Sequence, residues 1–272
     1  MTGILAVNHF LNTEKFNELH THLLKTAEKM DIDLKIETNL TLALKDVKAD
    51  FVLFWDKDIN LAKRLERMNI PVFNSADSIA KCDDKARTYI ELDGVVPQPK
   101  TLIAPKCYFE SDMSEFVQGA VELLGLPLVF KECFGSFGEQ VFLCDSVESI
   151  MSHITQRPFI LQKFVDESRG EDKRLEIVGG KCVACVLRKN RNDFRSNVTN
   201  GGEMTPCVPT QNEVKIAVEA CKRLGLTFGG VDILADESVC EVNSNAHIIN
   251  IMKATKADIA PLIFEEIIKE IK

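Results

Sequence analysis

Two carboxylates and an amide near the C-terminal end of the chain have the types and spacing of a metal site. Glu241 and Asn243 stand two residues apart in VCEVNSN, so on a strand both side chains point to the same face. Asp232 interrupts the apolar stretch GGVDIL upstream, and a turn at residues 236–238 would let the two strands pair. Hard oxygen ligands of this kind suit Mg²⁺ that is shared with phosphate groups. These residues would equally fit the exposed faces of two ordinary strands, and both interpretations stay open.

A second chemical signal is the segment RKNRNDFRSN at residues 188–197, in which arginines stand among amide side chains. Arg195 and Asn197 are two residues apart and would share one face of a strand. Guanidinium groups pair bidentately with phosphate oxygens and neutralise the charge that develops during phosphoryl transfer. A solvated polar loop is the alternative, and it is the better interpretation for Lys189 and Arg191.

A lysine and a glycine-containing loop could bind phosphate groups. Lys131 stands near the end of the apolar segment 126–132, and the loop FGSFG follows at residues 134–138. Glycine lets backbone N–H groups approach phosphate oxygens closely, and lysine adds a mobile positive charge. The loop lacks the GxxxxGK spacing of a P-loop, so an ordinary hairpin turn is the alternative.

The first third of the chain alternates between strand and helix patterns. Strands are predicted at residues 4–7, 33–38, 51–55 and 71–74, and helices at 16–30, 58–68 and 75–92. Such alternation predicts a small parallel sheet with helices on its faces. A binding crevice is then expected at the carboxyl ends of the strands.

A linker rich in proline and glycine follows at residues 93–99. Beyond it, helices are predicted near 111–124, 146–155 and 211–224, and strands at 126–132, 140–144, 159–165, 173–178, 181–189, 229–234 and 239–243. We therefore predict one domain at residues 1–96 and a second at 97–272. The second would have a central lobe over 97–168 and a C-terminal lobe over 169–272.

Composition and charge limit the classes of function. The 272 residues are 45% hydrophobic and 27% charged, which is typical of a globular protein. The net charge of −8 argues against broad nucleic-acid binding, which needs a basic face. No signal peptide or membrane-spanning segment is readable, so we expect a cytoplasmic protein.

The nine cysteines are scattered along the chain. Cys182 and Cys185 form its one CxxC pair, which could be half of a metal site. In a strand, however, residues three apart point to opposite faces, and the chain has no second CxxC. Buried, reduced thiols are therefore the favoured interpretation.

The order of these motifs resembles the RimK-like branch of the ATP-grasp ligases. The matching segments are the strand and glycine loop at 126–138, QKFV at 162–165, GEDKR at 170–174, DFRSNV at 193–198, the glycines at 201–202, GVDIL at 230–234 and EVN at 241–243. The resemblance covers residues 70–262 and is most specific in its last third. It implies an α/β and α+β fold, with a Rossmann-like pre-ATP-grasp domain followed by a two-lobed ATP-grasp domain.

The resemblance also implies a nucleotide site. Lys131 would contact the α- and β-phosphates, residues 162–165 would form the adenine hinge through the backbone of Lys163 and Val165, and Asp172 would face the nucleotide. The residues implied to bind ATP are Lys85, Lys131, Gly135, Ser136, Gly138, Gln162, Lys163, Phe164, Val165, Asp172, Arg195, Ser196 and Asn197.

The remaining implied roles concern catalysis. Arg188, Arg195 and Asn197 would line the reacting phosphate and acyl groups. Asp232, Glu241 and Asn243 would hold one or two Mg²⁺ ions, for which Mn²⁺ could substitute. His247 lies where many relatives have small residues, so it would define the substrate or act as an acid or base, with a structural histidine as the alternative.

Together these implications describe an ATP-dependent ligase that joins a carboxylate to an amine through an acyl-phosphate. Its acid would be an amino acid or peptide, a peptide or carrier protein could be a partner, and a homo-oligomer is expected. A peptide macrocyclase of the same fold is one alternative. A non-catalytic nucleotide-binding regulator is another, although Lys131, Arg188 and the metal-site residues argue against it.

Overall fold

The computed structural model describes residues 1–109, 111–135, 138–196 and 201–272. Its N-terminal elements are β1 (Thr2–Val7), α1 (Glu14–Lys29), β2 (Asp33–Thr38), α2 (Asn39–Ala43), β3 (Phe51–Trp55), α3 (Ile59–Arg67), β4 (Val72–Phe73), α4 (Ala76–Asp83) and α5 (Lys85–Leu92). The strands form a parallel sheet in the order β2-β1-β3-β4. Helix α1 packs on one face and α2, α3 and α4 pack on the other. Strand β3 is therefore buried along its whole length, which explains its continuous apolar sequence.

The helical stretch predicted at residues 75–92 consists of two helices. Asp84 separates them, because its backbone is extended (φ −97°, ψ 107°). Its carboxylate accepts a hydrogen bond from the N–H of Ala86 at 2.9 Å and caps the start of α5. The prediction of one continuous helix is wrong at this residue.

A second, antiparallel sheet follows in the chain. Its elements are β5 (Thr101–Ile103), α6 (Ser114–Leu124), β6 (Leu128–Glu132), β7 (Val141–Cys144), α7 (Val147–His153) and β8 (Phe159–Lys163). The strands lie in the order β5-β8-β6-β7. Apolar residues of α6 and α7, such as Val117 and Ile150, pack on Phe130 of the sheet and bury one of its faces.

The third sheet is also antiparallel. Its elements are β9 (Glu171–Val178), β10 (Lys181–Lys189), β11 (Glu203–Pro206), α8 (Gln211–Leu224), β12 (Phe228–Ile233), β13 (Val239–Asn243), α9 (Ile249–Thr255) and α10 (Ala260–Ile271). The strand order is β11-β10-β9-β12-β13. Helix α8 is bounded by a capping box between Thr210 and Glu213 and by Gly225, whose left-handed backbone (φ +73°) ends the helix.

The first and third sheets pack directly on each other. Trp55 at the end of β3 stacks on Phe228 at the start of β12, with ring centroids 5.4 Å apart. Asn74 donates hydrogen bonds to the carbonyls of Phe228 and Ser244 at 2.8 and 2.6 Å. Leu92 likewise packs in one core with the third sheet. This packing joins elements on both sides of residue 96. The division at 96/97 and the lobe boundary at 168/169 stay predictions.

No helix in the described part of the chain has the length and apolar character needed to span a membrane.

Candidate active site

Two adjoining pockets contain most of the polar residues that could do chemistry. The first lies between the second and third sheets, and the second lies between the first and third sheets. Gly135, Arg188 and Glu241 line both pockets. Groups bound in the two pockets would therefore meet at these three residues.

The predicted site residues are divided between the pockets. The first pocket is lined by Lys85, Lys131, Gly135, Gly138, Gln162, Lys163, Phe164, Val165, Asp172, Arg188, Arg195, Ser196, Asp232 and Glu241. Asn243 and His247 line the second pocket. Ser136 and Asn197 lie outside the described residues. The roles assigned to all of these residues stay predictions.

Lys131 is held in place by a short chain of hydrogen bonds. Its side chain is only 6% exposed, and its ammonium donates to Oε1 of Gln162 at 2.7 Å. Nε2 of Gln162 donates in turn to the hydroxyl of Thr101 at 2.9 Å. Burial lowers the pKa of Lys85 in the same pocket, Glu241 opposes this effect, and Lys131 adds to it. Two neighbouring ammonium groups in a partly buried pocket fit phosphate oxygens.

The segment 162–165, which is predicted to form the adenine hinge, lies at the end of β8. The backbone N–H of Lys163 donates to the carbonyl of Lys100 at 2.8 Å, so this N–H is already occupied. A hinge contact at Lys163 would therefore use its carbonyl oxygen. The strand ends at Lys163 instead of at the predicted Val165, and Phe164 packs beneath the guanidinium of Arg169 at 4.7 Å.

Four charged side chains form a buried ion-pair network on one face of the third sheet. Arg188 lies opposite Asp172 in the β10–β9 pairing, and its Nε donates to Oδ1 of Asp172 at 2.7 Å. Arg174 lies opposite Asp232 in the β9–β12 pairing and binds both its oxygens, at 2.6 and 2.7 Å. Arg188 also reaches Oδ2 of Asp232 at 2.8 Å, which joins the two pairs.

Asp232 is thus the counter-ion of two arginines. It is 2% exposed, and burial alone would raise its pKa, but the charges of Arg174 and Arg188 hold that pKa below its usual range. A carboxylate has about four lone-pair sites, so Asp232 keeps limited capacity for a metal ion. Its predicted role as a ligand is therefore secondary to its ion pairs.

Glu241 is the more open candidate ligand. It lies directly opposite Asp232 in the predicted β12–β13 hairpin, and Asn243 lies opposite Gly230. No hydrogen bond or ion pair holds Glu241 within the described residues. They also contain no group of three or more His, Cys, Asp or Glu side chains that could hold a metal ion. Glu241 and Asn243 stay the predicted ligands of a Mg²⁺ ion, which would take its other ligands from phosphates and water.

Arg195 connects the polar segment that begins at residue 188 to the glycine loop that ends at Gly138. Its Nη1 donates to the carbonyl of Gly138 at 2.5 Å, and its Nη2 pairs with Asp193 at 2.7 Å. Gly138 has a left-handed backbone (φ +74°), which explains the glycine. Arg195 lies in a bend and not on a strand, so the predicted strand face at this residue is wrong. Its placement closes one side of the first pocket.

The second pocket lies where the sequence predicts a crevice, at the carboxyl ends of β1 and β3. From there it receives Asn8, Trp55 and Asp56. His247 closes the opposite wall: its Nε2 is 3.0 Å from the carbonyl oxygen of Lys15, and its ring packs edge-on against Phe16. Burial lowers the pKa of His247, so its imidazole is neutral near pH 7.

A family model for the RimK-like ATP-grasp domain matches residues 81–267. The chain belongs to this family. The predicted family resemblance and the predicted fold class are thereby confirmed.

Relatives of this RimK-like chain match most of its length. The Mycoplasma pneumoniae protein named Uncharacterized protein MG012 homolog is 30% identical over 260 residues, covering 88% of this chain and 90% of that protein. The Probable alpha-L-glutamate ligase of Legionella pneumophila is 34% identical over 220 residues, covering 77% of this chain and 71% of that protein.

Solved structures share the fold at lower sequence identity. D-cycloserine synthetase DcsG has a TM-score of 0.81 and 14% identity, with 100% of both chains covered. The D-alanine–D-alanine ligase of Bacillus anthracis in complex with ATP has a TM-score of 0.76 and 18% identity, covering 100% of this chain and 97% of that chain.

Several polar residues of this RimK-like site were not predicted from the sequence. Arg174 and Glu176 were missed, although Asp172, Arg174 and Glu176 alternate along one strand and so share a face. That pattern could have revealed the ion-pair network. Trp55 and Asp56 carried no comparable signal, because they read as the end of an apolar strand.

Proposed function

We propose that the chain joins a carboxylic acid to an amine, with ATP in the first pocket and the two organic substrates in the second. The class of reaction, ATP-dependent ligation of a carboxylate to an amine, is that of the RimK-like family. One observation carries the assignment of pockets: both are lined by Arg188 and Glu241. A phosphoryl group held in the first pocket would there face a carboxylate held in the second.

In this mechanism the substrate carboxylate would attack the γ-phosphorus of Mg-ATP, and the bond from that phosphorus to the bridging oxygen would break with release of ADP. The resulting acyl-phosphate would lose phosphate when an amine attacks. In this mechanism Lys85 and Lys131 bind phosphate oxygens already present in the nucleotide. Arg188 neutralises the charge that develops on the transferring group, and its pairing with two carboxylates fixes its orientation. Glu241 and Asn243 supply the protein oxygens for the metal ion.

The second half-reaction forms the C–N bond. The amine nitrogen attacks the acyl carbon, the C–O bond to phosphate breaks, and the ammonium proton must first leave the nitrogen. The second pocket would hold both reacting groups, so its contribution is positioning. We propose an amino acid as the amine, in line with the name of the glutamate ligase relative.

Finer properties belong to the same proposal. They are the binding of one or two Mg²⁺ ions, substitution by Mn²⁺, a peptide or carrier protein as a partner, homo-oligomer formation and a cytoplasmic location. Each stays a prediction.

The test is acid-dependent trapping of the acyl-phosphate. The protein is incubated with Mg-ATP, hydroxylamine and a panel of N-acyl amino acids, dicarboxylic acids and peptides, and hydroxamate and ADP are measured together. We expect equal amounts of both products with the correct acid and none without acid. The double variant Asp232→Asn/Glu241→Gln is the inactive reference. Acid-dependent ADP release with no hydroxamate would overturn the proposed mechanism.

A further inference from the structure

Buried polar atoms without partners gather around the second pocket. Trp55, Asp56, Asn243 and His247 each carry such an atom, and all four residues line this pocket. A buried donor or acceptor with no partner destabilises the folded state, so folded proteins rarely retain several in one place. Their concentration here indicates a polar ligand that supplies the missing hydrogen bonds.

Asp56 is the charged member of this group. It follows β3 directly and is 7% exposed. Its Oδ1 accepts hydrogen bonds from Nδ2 of Asn8 at 3.0 Å and from the N–H of Lys57 at 2.7 Å. Its Oδ2 is buried and has no partner among the described residues. One oxygen therefore fixes the carboxylate, and the other remains available to a donor in the pocket.

Two cationic side chains also line this pocket, and one of them, Arg174, is paired with Asp232. Lys15, near the start of α1, and Arg174 of β9 both line it. Burial lowers the pKa of Lys15, and the charge of Arg174 lowers it further. A negative group bound near both would relieve this repulsion.

We infer that Asp56 anchors the ammonium group of an amino-acid substrate through Oδ2, and that Lys15 and Arg174 bind the carboxylate of the same molecule. This inference rests on the proposed function, because it assigns the amine substrate of that reaction. A zwitterion satisfies both charged parts of the pocket at once, whereas a simple amine or a simple acid satisfies one. Burial raises the pKa of Asp56, and the hydrogen bonds from Asn8 and Lys57 oppose this effect.

The experiment measures binding and therefore does not depend on turnover. Each of the twenty common L-amino acids is titrated calorimetrically into the full chain with Mg-ADP present, starting with L-glutamate. The amino acid that binds is compared with its analogue lacking the amino group, which for L-glutamate is glutarate. The variants are Asp56→Asn and Lys15→Met. Asp58→Asn is the matched control, because Asp58 caps α3 outside the pocket and asparagine caps equally well.

We expect Asp56→Asn to weaken binding of the amino acid about tenfold or more, since hydrogen bonds to charged groups contribute about 1.5–3 kcal/mol. The same variant should leave binding of the deaminated analogue unchanged, while Lys15→Met should weaken both ligands. Asp58→Asn should weaken neither.

Three results would overturn the inference. They are equal losses for both ligands with Asp56→Asn, an unchanged affinity for the amino acid in that variant, and no binding of any amino acid to the unaltered chain. Hydroxamate formation by the unaltered chain separates these failures from failure of the proposed reaction. A chain that forms hydroxamate but fails the binding test is a ligase whose amine is held elsewhere.

Discussion

Nη2 of Arg188 lies 2.8 Å from Oδ2 of Asp232, in the interior of the third sheet. The contact joins a residue predicted to stabilise the transferring phosphoryl group to one predicted to bind metal. Because Arg188 is also paired with Asp172 and is only 4% exposed, removing it would leave two buried carboxylates short of a partner. The predicted catalytic role of Arg188 is therefore coupled to its contribution to stability.

Arg188→Lys is the variant that separates these effects. It keeps the positive charge but loses the planar donor pair, so we expect turnover to fall about 10²-fold with a small change in the KM for ATP. Arg188→Ala should show the same loss and, in addition, lower the free energy of unfolding by about 3–5 kcal/mol. Steady-state kinetics and urea unfolding measure the two effects. An unchanged kcat with lost ATP binding would contradict the assignment.

Lys131→Met should act on nucleotide binding instead of turnover. The ammonium of Lys131 would contact phosphates present before and after the reaction, so its loss raises the KM for ATP, by about tenfold or more. Lys181→Met, at an exposed position of β10, is the matched control and should change nothing. If Lys131→Met lowered kcat alone, Lys131 would have to act on the transition state.

Glu241→Gln should raise the Mg²⁺ concentration needed for half-maximal activity. We expect about tenfold or more, the size of effect caused by altering even the surroundings of a metal site. Glu203→Gln, on the exposed strand β11, is the control. Adding Asp232→Asn should abolish turnover but also destabilise the fold, because Arg174 and Arg188 lose their shared counter-ion. An unchanged Mg²⁺ requirement in Glu241→Gln would contradict the metal assignment.

Glu176 should make stability depend on pH. Burial raises its pKa from 4.5 to about 7, with Arg174 opposing the shift. The folded state then holds a proton that the unfolded state has released, so unfolding free energy falls as pH rises from 4.5 through 7. The glutamine of Glu176→Gln does not titrate, so this variant is the reference. The free energy of unfolding of the unaltered chain, measured relative to this variant, should fall by about 3 kcal/mol between pH 4 and pH 8. Urea unfolding of both chains across this pH range tests the prediction. A difference in unfolding free energy that does not change with pH would contradict it.

Mg-ATP should stabilise the folded chain. A ligand at about 100 times its Kd adds about 2.7 kcal/mol, which corresponds to a rise in Tm of about 5 °C or more for a chain of this size. Thermal unfolding monitored by calorimetry measures the shift, with Mg²⁺ alone and ATP with a chelator as references. No shift at millimolar Mg-ATP would count against the nucleotide site as a whole.

Much of the architecture could be predicted from local patterns. The continuous apolar run of β3 indicated a strand covered on both faces, and the alternating positions of Glu241 and Asn243 placed them on one face. The short strands β5 and β11 were not predicted, nor were the last two helices. Strand β5 has only three residues and β11 has the largely polar sequence EMTP, so neither carries a clear apolar signal and each depends on the neighbours with which it pairs.

The sequence by itself therefore determined that Glu241 and Asn243 share a strand face, and it predicted which segments bind phosphate. Only the tertiary structure decided that Asp232 is held by Arg174 and Arg188, because cross-strand partners follow from sheet order and register, which are set by contacts between distant segments. The same holds for Asp56. Its local sequence is that of a strand end, and it faces the second pocket only because the first sheet packs against the third.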